Sequence, residues 1–462
     1  MRRNRAMLHL RQLLFILLLS ALTTLGCNSG GGRSIRCSFD NPPTIDESAA
    51  QWPKERRDRQ NTGTIVLSGP GYDRVASGNA ATPEQRTTAW MYPAADAAAD
   101  TAFVASPVLN RNADVVYIGA TSGRLLGIDA SEENGGSLIE VDVAGSIRSF
   151  FATSAPFAIT ASALATELNE LDAVFVGSGN GRVFGVAGNG LALERIWPFA
   201  TDTAISSGVT LGLDGTIYGG SQGSGFFAIC PNGVTRFLQP TGPTISSPAL
   251  GREPADEKLD GTIYIGADDR LLRAFTSEGV LRWTFALSGP VLSAPIVLLD
   301  EADEPSTAAI FAVDANGRLA RVTPQGRAAS SFVAPQGIGR VVGSPALARS
   351  PHGDVRLYVP STDSGLHAID ADTGTRLWHL DLGTGIDSSP AVVLNATNDD
   401  DPIVVFGAND GTLYYVRDRG ASAEIIATFT PTTQSPIVSS PAVGPDGTVY
   451  FGGLDGRVYA VR

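Results

Sequence analysis

At 462 residues, with 43% hydrophobic and 18% charged side chains, the chain has enough apolar material for a large core, which excludes wholesale disorder. A net charge of −13 argues against nucleic acid or an anionic membrane surface as a partner. The 52 Gly and 28 Pro interrupt short runs rich in Val, Ile, Tyr and Phe, which is the texture of an all-β chain.

The N-terminus has the layout of an export signal. "MRRNRAMLHLRQ" is basic, "LLFILLLSAL" is apolar but too short for an ordinary membrane span, and "TTLGC" ends in small residues before Cys27. Cys27 behind Leu25 and Gly26 resembles the lipobox of bacterial lipoproteins, although Thr24 stands where Leu is usual. In that family the Cys becomes the lipidated first residue of the mature protein. The Gly-rich stretch after Cys27 suits a tether. By the same resemblance Asn28, in place of Asp, permits sorting to the outer membrane. A plain secretory signal with a chance Cys is the alternative. Removing the signal leaves 30 basic and 47 acidic side chains, a net of −17. Cys37 and Cys230 then remain, in a compartment that allows disulfides, and their pairing is open. The expected division is a signal peptide at 1–26, a lipid-anchored tether and N-terminal extension at 27–85, and one folded domain at 86–462.

That domain is a repeat. A Ser-Pro phrase followed by apolar residues recurs as "ASPVL" (105–109), "SAPFAI" (154–159), "SSGVTL" (206–211), "SSPAL" (246–250), "SAPIVL" (293–298), "GSPAL" (343–347), "SSPAVV" (388–393) and "SSPAV" (439–443). Each is followed by a phrase such as "VVYIG" or "TIYIG", a tight turn such as "ANGR" or "NDGT", and a third apolar run such as "LLGID" or "LHAID". The copies predict strands A, B and C of a β-propeller blade, repeated eight times at roughly 45 residues each. Asp-Gly at 214–215 and 446–447 falls where an A–B hairpin turn is expected. A fourth strand, D, follows C as "LERIWPFA" (193–200), "VLRWTFAL" (280–287) and "TRLWHLDL" (375–382), with less regular copies that include "SSFVA" (330–334). Blade 8 has no D strand after its C run, "VYAVR". The matching phrase is "TTAWMYPA" at 87–94, where Trp90 corresponds to Trp197, Trp283 and Trp378. The expectation is an eight-bladed propeller of four-stranded antiparallel blades, its last blade closed by an N-terminal strand carrying Trp90.

The copy "LHAIDADTGTRLWHL" at 366–380 resembles the repeat of quinoprotein-like propellers, with Ala368, Asp370, Thr373, Gly374 and Trp378 in the family's positions. "WPKERRDRQNTG" at 52–63 resembles a stretch that precedes many of them. The family holds pyrroloquinoline-quinone (PQQ) dehydrogenases and non-enzymatic outer-membrane assembly lipoproteins of the BamB type. The resemblance implies that the repeat Trp packs on the neighbouring blade. It also implies that an enzyme would hold its quinone on the axis between a Trp and an adjacent-Cys disulfide, beside calcium and a catalytic Asp. This sequence has no Cys-Cys pair, and Trp90, Trp197, Trp283 and Trp378 all fall on D strands at the rim. The resulting expectation is a non-catalytic, monomeric envelope lipoprotein without cofactor or metal. It would touch the membrane through its anchor only, face the periplasm or the cell surface, and bind a protein partner in BamB-like support of outer-membrane protein assembly. A quinone-dependent or other redox enzyme, and a carbohydrate or cell-surface adhesion module, are the alternatives.

Other signals are weaker. Gly219 to Gly223 spells Gly-x-Ser-x-Gly but sits in register with B–C turns, and "GSGNGR" at 177–182 resembles a phosphate loop but is expected as a hairpin, with no helix after it to bind an anion. His9, His352, His367 and His379 lack metal spacing; His367 and His379 are expected on strand surfaces. Acidic clusters lengthen three A–B connections, at 252–260, 299–305 and 398–402. Asp300, Glu301, Asp303, Glu304, Asp399, Asp400 and Asp401 are therefore candidates for a face that docks a basic partner, against solvated loop charge or weak calcium binding. The Ser-Pro phrases suit small side chains converging on the axis, with hydroxyls lining a ligand channel as the alternative.

Overall fold

The computed structural model describes residues 63–78, 81, 83–93, 102–110, 112–130, 138–142, 158–168, 171–188, 194–212, 214–230, 233–252, 261–300, 307–349, 353–363, 365–396 and 401–462. They form eight antiparallel sheets in sequence order around a ring, one per blade. The order A-B-C-D holds in seven of them, with A innermost, and blade 5 stops at C. Blade 4 is Ala249–Gly251, Thr262–Gly266, Leu271–Phe275 and Leu281–Ala286; blade 6 is Ala346–Arg349, Val355–Ser361, Gly365–Asp370 and Arg376–Leu380. Blade 7 is Ala391–Asn395, Ile403–Gly407, Leu413–Asp418 and Ala423–Phe429. B strands lie between two neighbouring blades and are buried on both faces, which is why "VVYIG", "TIYIG" and "IVVFG" are apolar without alternation. D strands form the rim, and Leu281–Ala286 alternates between exposed and half-buried positions.

Blade 8 closes as the sequence predicts. Its A, B and C strands are Ala442–Val443, Val449–Gly452 and Val458–Val461, and its D strand is Thr88–Tyr92. The strand pairs antiparallel with C, Trp90 opposite Ala460 and Tyr92 opposite Val458. Thr87 and Arg462 then exchange both backbone hydrogen bonds, each 3.0 Å.

Each blade is locked to the one before it in the same way. The residue three places before the Ser-Pro position donates its backbone N–H to the B–C turn of the preceding blade. Such a bond, at 2.9–3.4 Å, spans all eight junctions, from Phe103 to Gly453 of blade 8 through Ile437 to Ala408 of blade 7. Its side chain fills the space over a glycine at the end of the preceding B strand, so a Cβ at Gly119, Gly266 or Gly407 would collide with Ile159, Val291 or Ile437.

Four expectations need correction. First, the A strand of blade 2 is Leu164–Leu168, not the run beginning at "SAPFAI". Ile159 makes the junction contact to Gly119 there, and Ser162, three places on, takes the Ser-Pro position. Second, blade 5 has only three strands: Ile296–Leu299, Thr307–Val313 and Leu319–Val322. Polar "SSFVA" does not extend into D; Phe332 instead packs edge-on against Phe311 (6.2 Å), and Val333 N–H bonds Thr373 of blade 6. Third, the folded unit begins before residue 86, within the N-terminal extension. Thr64–Leu67 and Glu84–Gln85 add in parallel to the inner and outer edges of blade 7, making a six-stranded sheet, and a helix, Pro70–Ala76, lies between them. Fourth, His367 is fully buried rather than on the surface.

Candidate functional site

Three places could carry function: the axis, the face bearing the A–B and C–D connections, and the rim. On the axis, the Ser-Pro phrases form a clasp. The backbone N–H at this position donates to the serine hydroxyl at the same position in the next blade. The bonds are Ser440 to Ser106 (3.0 Å), Ser106 to Ser162 (3.1 Å), Gly208 to Ser247 (3.0 Å), Ala294 to Ser344 (2.8 Å), Ser344 to Ser389 (2.9 Å) and Ser389 to Ser440 (3.0 Å). The two remaining junctions are those whose acceptor position is Gly208 or Ala294, which have no hydroxyl. In Ser-Ser-Pro copies the first serine ties A to its own B strand; Ser388 Oγ donates to Gly407 O (2.8 Å) and accepts from Gly407 N–H (3.0 Å). These hydroxyls satisfy backbone that eight converging strands would otherwise bury unpaired.

The inner edge of blade 7 is filled by the chain itself. Thr64 to Leu67 pair with Val392 to Asn395, and Thr64 Oγ1 donates to Leu347 O of blade 6. Ile65 and Leu67 are buried while Val66 is exposed, the alternation of a strand with one covered face. Pro70 at the first turn then starts the helix, which lies over the A–B connections of blades 7 and 8. Tyr72 hydroxyl donates to Asp401 O (3.2 Å), and Arg74 pairs with Asp446 (3.0 Å). Arg86 is buried, stacks on the Tyr415 ring (4.9 Å) and donates to Val75 O and Ser77 O, each 3.1 Å.

This arrangement bears on the acidic-face residues. Asp401 pairs with Arg419 (2.8 Å) and lines a cleft of about 340 Å³ with Tyr72, Asp73, Ala76, Ser77 and Arg417. Its carboxylate is thus engaged within blade 7, while its backbone carbonyl accepts from Tyr72 of the N-terminal segment. Asp300 is half-buried. Glu301, Asp303, Glu304, Asp399 and Asp400 lie outside the described residues, as does Cys27. Among the described residues no three metal-ligating side chains cluster, and no helix is long and apolar enough to cross a membrane.

At the rim, Trp283 and Trp378 dock on the next blade. Trp283 Nε1 donates to Pro324 O (2.8 Å), with its ring over Gly326. Trp378 Nε1 donates to Asp418 at the end of blade 7's C strand (2.8 Å). Asp418 is fully buried and also accepts from Tyr358 hydroxyl (2.7 Å) and Arg356 (2.8 Å). Burial, with the Asp418 carboxylate beside it, pushes the Tyr358 phenol well above its usual range, so it stays a donor. Trp90 packs on Tyr450 at 5.7 Å. Trp197 lies on the D strand of blade 2, its side chain outside the described residues. The Gly-x-Ser-x-Gly stretch is strand and turn: Ser221 is buried, with its Oγ accepting from Ser224 N–H (2.9 Å). Cys230 is buried and disulfide-bonded.

His367 and His379 are cross-strand partners in blade 6, their rings stacked at 4.3 Å. Burial, then the positive charges of His379 and Arg376, lowers the His367 pKa from 6.5 to about 4, against a hydrogen bond with the Ile338 backbone that raises it. A base with a depressed folded-state pKa stabilises the fold in its neutral form. That stability is full above pH 6.5, is lost as pH falls towards 4, and amounts to about 3 kcal/mol from the shift. We expect urea unfolding at pH 7 and pH 4.5 to show this loss, and His367→Gln to flatten it; an unchanged slope in the variant would assign the loss to other groups.

Sequence reasoning missed Ser162, Arg86 and Asp418. Ser162 was findable from the spacing of an apolar residue three places before a serine. Arg86 and Asp418 act on other blades, and nothing local marks them.

Residues 315–462 match the family model described as "Outer membrane protein assembly factor BamB". No curated protein matches the chain by sequence. Among solved structures, BamB from Moraxella catarrhalis is similar at 18% identity and a TM-score of 0.53, covering 76% of this chain and 91% of that one. A europium-containing methanol dehydrogenase is similar at 12% identity and 0.61, covering 89% and 98%. Quinohemoprotein alcohol dehydrogenase from Comamonas testosteroni is similar at 16% identity and 0.60, covering 90% and 81%. At these identities the likeness is one of fold, which BamB and the two dehydrogenases share. The chain is an eight-bladed β-propeller with the fold of these structures, and its residues 315–462 match the BamB family model.

Proposed function

We propose that this protein is a non-catalytic binding scaffold of the cell envelope, lipid-anchored through Cys27, that supports outer-membrane protein assembly in the manner the BamB description names. The observation that carries this is the family match over residues 315–462. Two features support it: the absence of a Cys-Cys pair from the sequence, and the docking of Trp283 and Trp378 at the rim rather than on the axis. The partner surface is the face of the A–B connections, where negative charge complements a basic protein. The redox alternative draws on the two dehydrogenases of similar fold.

The test is capture of envelope proteins from detergent-solubilised membranes at low and high salt. Asp399→Asn with Asp400→Asn is the comparison variant; Asp401 is kept because it pairs with Arg419. We expect an assembly-machinery protein to be retained, with weaker retention by the variant and at high salt. Equal recovery under all conditions would return the acidic loops to solvated charge. Dye-linked alcohol oxidation that is lost on dialysis and restored by quinone and calcium would replace the scaffold reading with the redox one.

A further inference from the structure

Cys230 follows the C strand of blade 3, Gly225–Ile229, and opens a tight C–D turn: its N–H donates to Val234 O (2.8 Å), and Gly233 N–H donates to its carbonyl (2.7 Å). It is 2% exposed and disulfide-bonded. The chain has only two other cysteines, Cys27 and Cys37. A lipidated Cys27 holds its sulfur in a thioether, which cannot enter a disulfide. We infer that Cys37 is the partner of Cys230, stapling the N-terminal segment to the C–D turn of blade 3. This rests on the lipoprotein reading for the exclusion of Cys27. Two thiols become one disulfide, and a protein disulfide of the exported compartment accepts the two electrons and two protons by exchange.

The staple changes what the anchor does. Strand alternation puts the C–D turns on the same face as the A–B connections, the face crossed by the helix Pro70–Ala76. Without the staple, the first described residue on the propeller is Gly63, 36 residues beyond Cys27 and able to lie about 120 Å from it. With the staple, Cys230 is linked to a residue only ten places from Cys27, a reach of about 35 Å at full extension. That is shorter than a domain of this size is wide. The A–B and C–D face is therefore held toward the membrane, and a partner that docks there is met at the membrane surface.

A protease site replacing residues 46–52 separates the two tethers. On intact membranes without reductant, cleavage should leave the propeller in the membrane fraction, and reductant should then release it. In Cys37→Ser, cleavage alone should release it. Peptide mapping without reduction should recover Cys37 joined to Cys230. Release of the wild type by cleavage alone, or a peptide joining Cys27 to Cys230, would overturn the inference. Failure of the lipoprotein reading is seen separately, as uncut protein absent from the membrane fraction; a Cys37–Cys230 peptide would still support the pairing.

Discussion

Deletion of residues 87–94 should abolish cooperative folding or drive the protein into aggregates. The segment supplies the D strand of blade 8, and without it Val458–Val461 becomes an open edge, a template for pairing with other chains. It also removes Trp90, which is 9% exposed and packs on Tyr450. Truncating a buried aromatic costs about 3–5 kcal/mol, against a typical total of about 5–15 kcal/mol. Trp90→Ala alone should therefore lower the urea midpoint markedly while leaving the far-UV spectrum β-rich. Soluble, cooperatively folded protein lacking 87–94, with an unchanged melting temperature, would mean that the ring closes by another route.

Asp418→Ala should be among the most damaging single substitutions. The carboxylate is the shared acceptor of Arg356, Tyr358 and Trp378 at the blade 6–7 junction. Removing it leaves the buried Tyr358 and Trp378 donors unanswered, strips Gly420 N–H of its acceptor, and leaves the Arg356 guanidinium, whose side chain is only 12% exposed, with Asp354 at 3.8 Å as its remaining carboxylate. Breaking a buried pair from one side costs about 3–5 kcal/mol. Asp418→Asn keeps an acceptor oxygen and should lose less. Equal chemical stability of wild type, Asn and Ala proteins would show that the junction does not depend on this carboxylate.

The ring was legible because its repeat is sequential. Eight copies of one phrase fix the blade number, and Trp90 fixes which N-terminal segment closes the ring, since its D-strand wording survives at 87–94. The rim position of Trp283 and Trp378 followed from the same register. Where the repeat is imperfect, the reading slipped. Proline marks "SAPFAI", yet the group that bonds across the junction is a hydroxyl, that of Ser162, which no proline follows. "SSFVA" has the spacing of a D strand but lacks apolar alternation, and its Phe332 is satisfied by packing on Phe311. The segment 63–86 has no local signature. Its four-residue strand, short helix and buried Arg86 make sense only against blades 7 and 8, more than 300 residues away, and no local pattern encodes such contacts. Of the candidate site, the sequence located the acidic loops but did not show that Asp401 is occupied by Arg419.

The central claim is that the N-terminal segment is an integral part of the propeller: Thr88–Tyr92 its last strand, Thr64–Leu67 the occupant of its inner edge. Hydrogen exchange on the intact protein measures this directly. The amides of Val458–Val461 should exchange as slowly as those of Leu271–Phe275 in blade 4, because both are C strands paired on two sides, and Thr88–Tyr92 should be protected with them. Rapid exchange at Val458–Val461 and Thr88–Tyr92, beside slow exchange in blade 4, would contradict it.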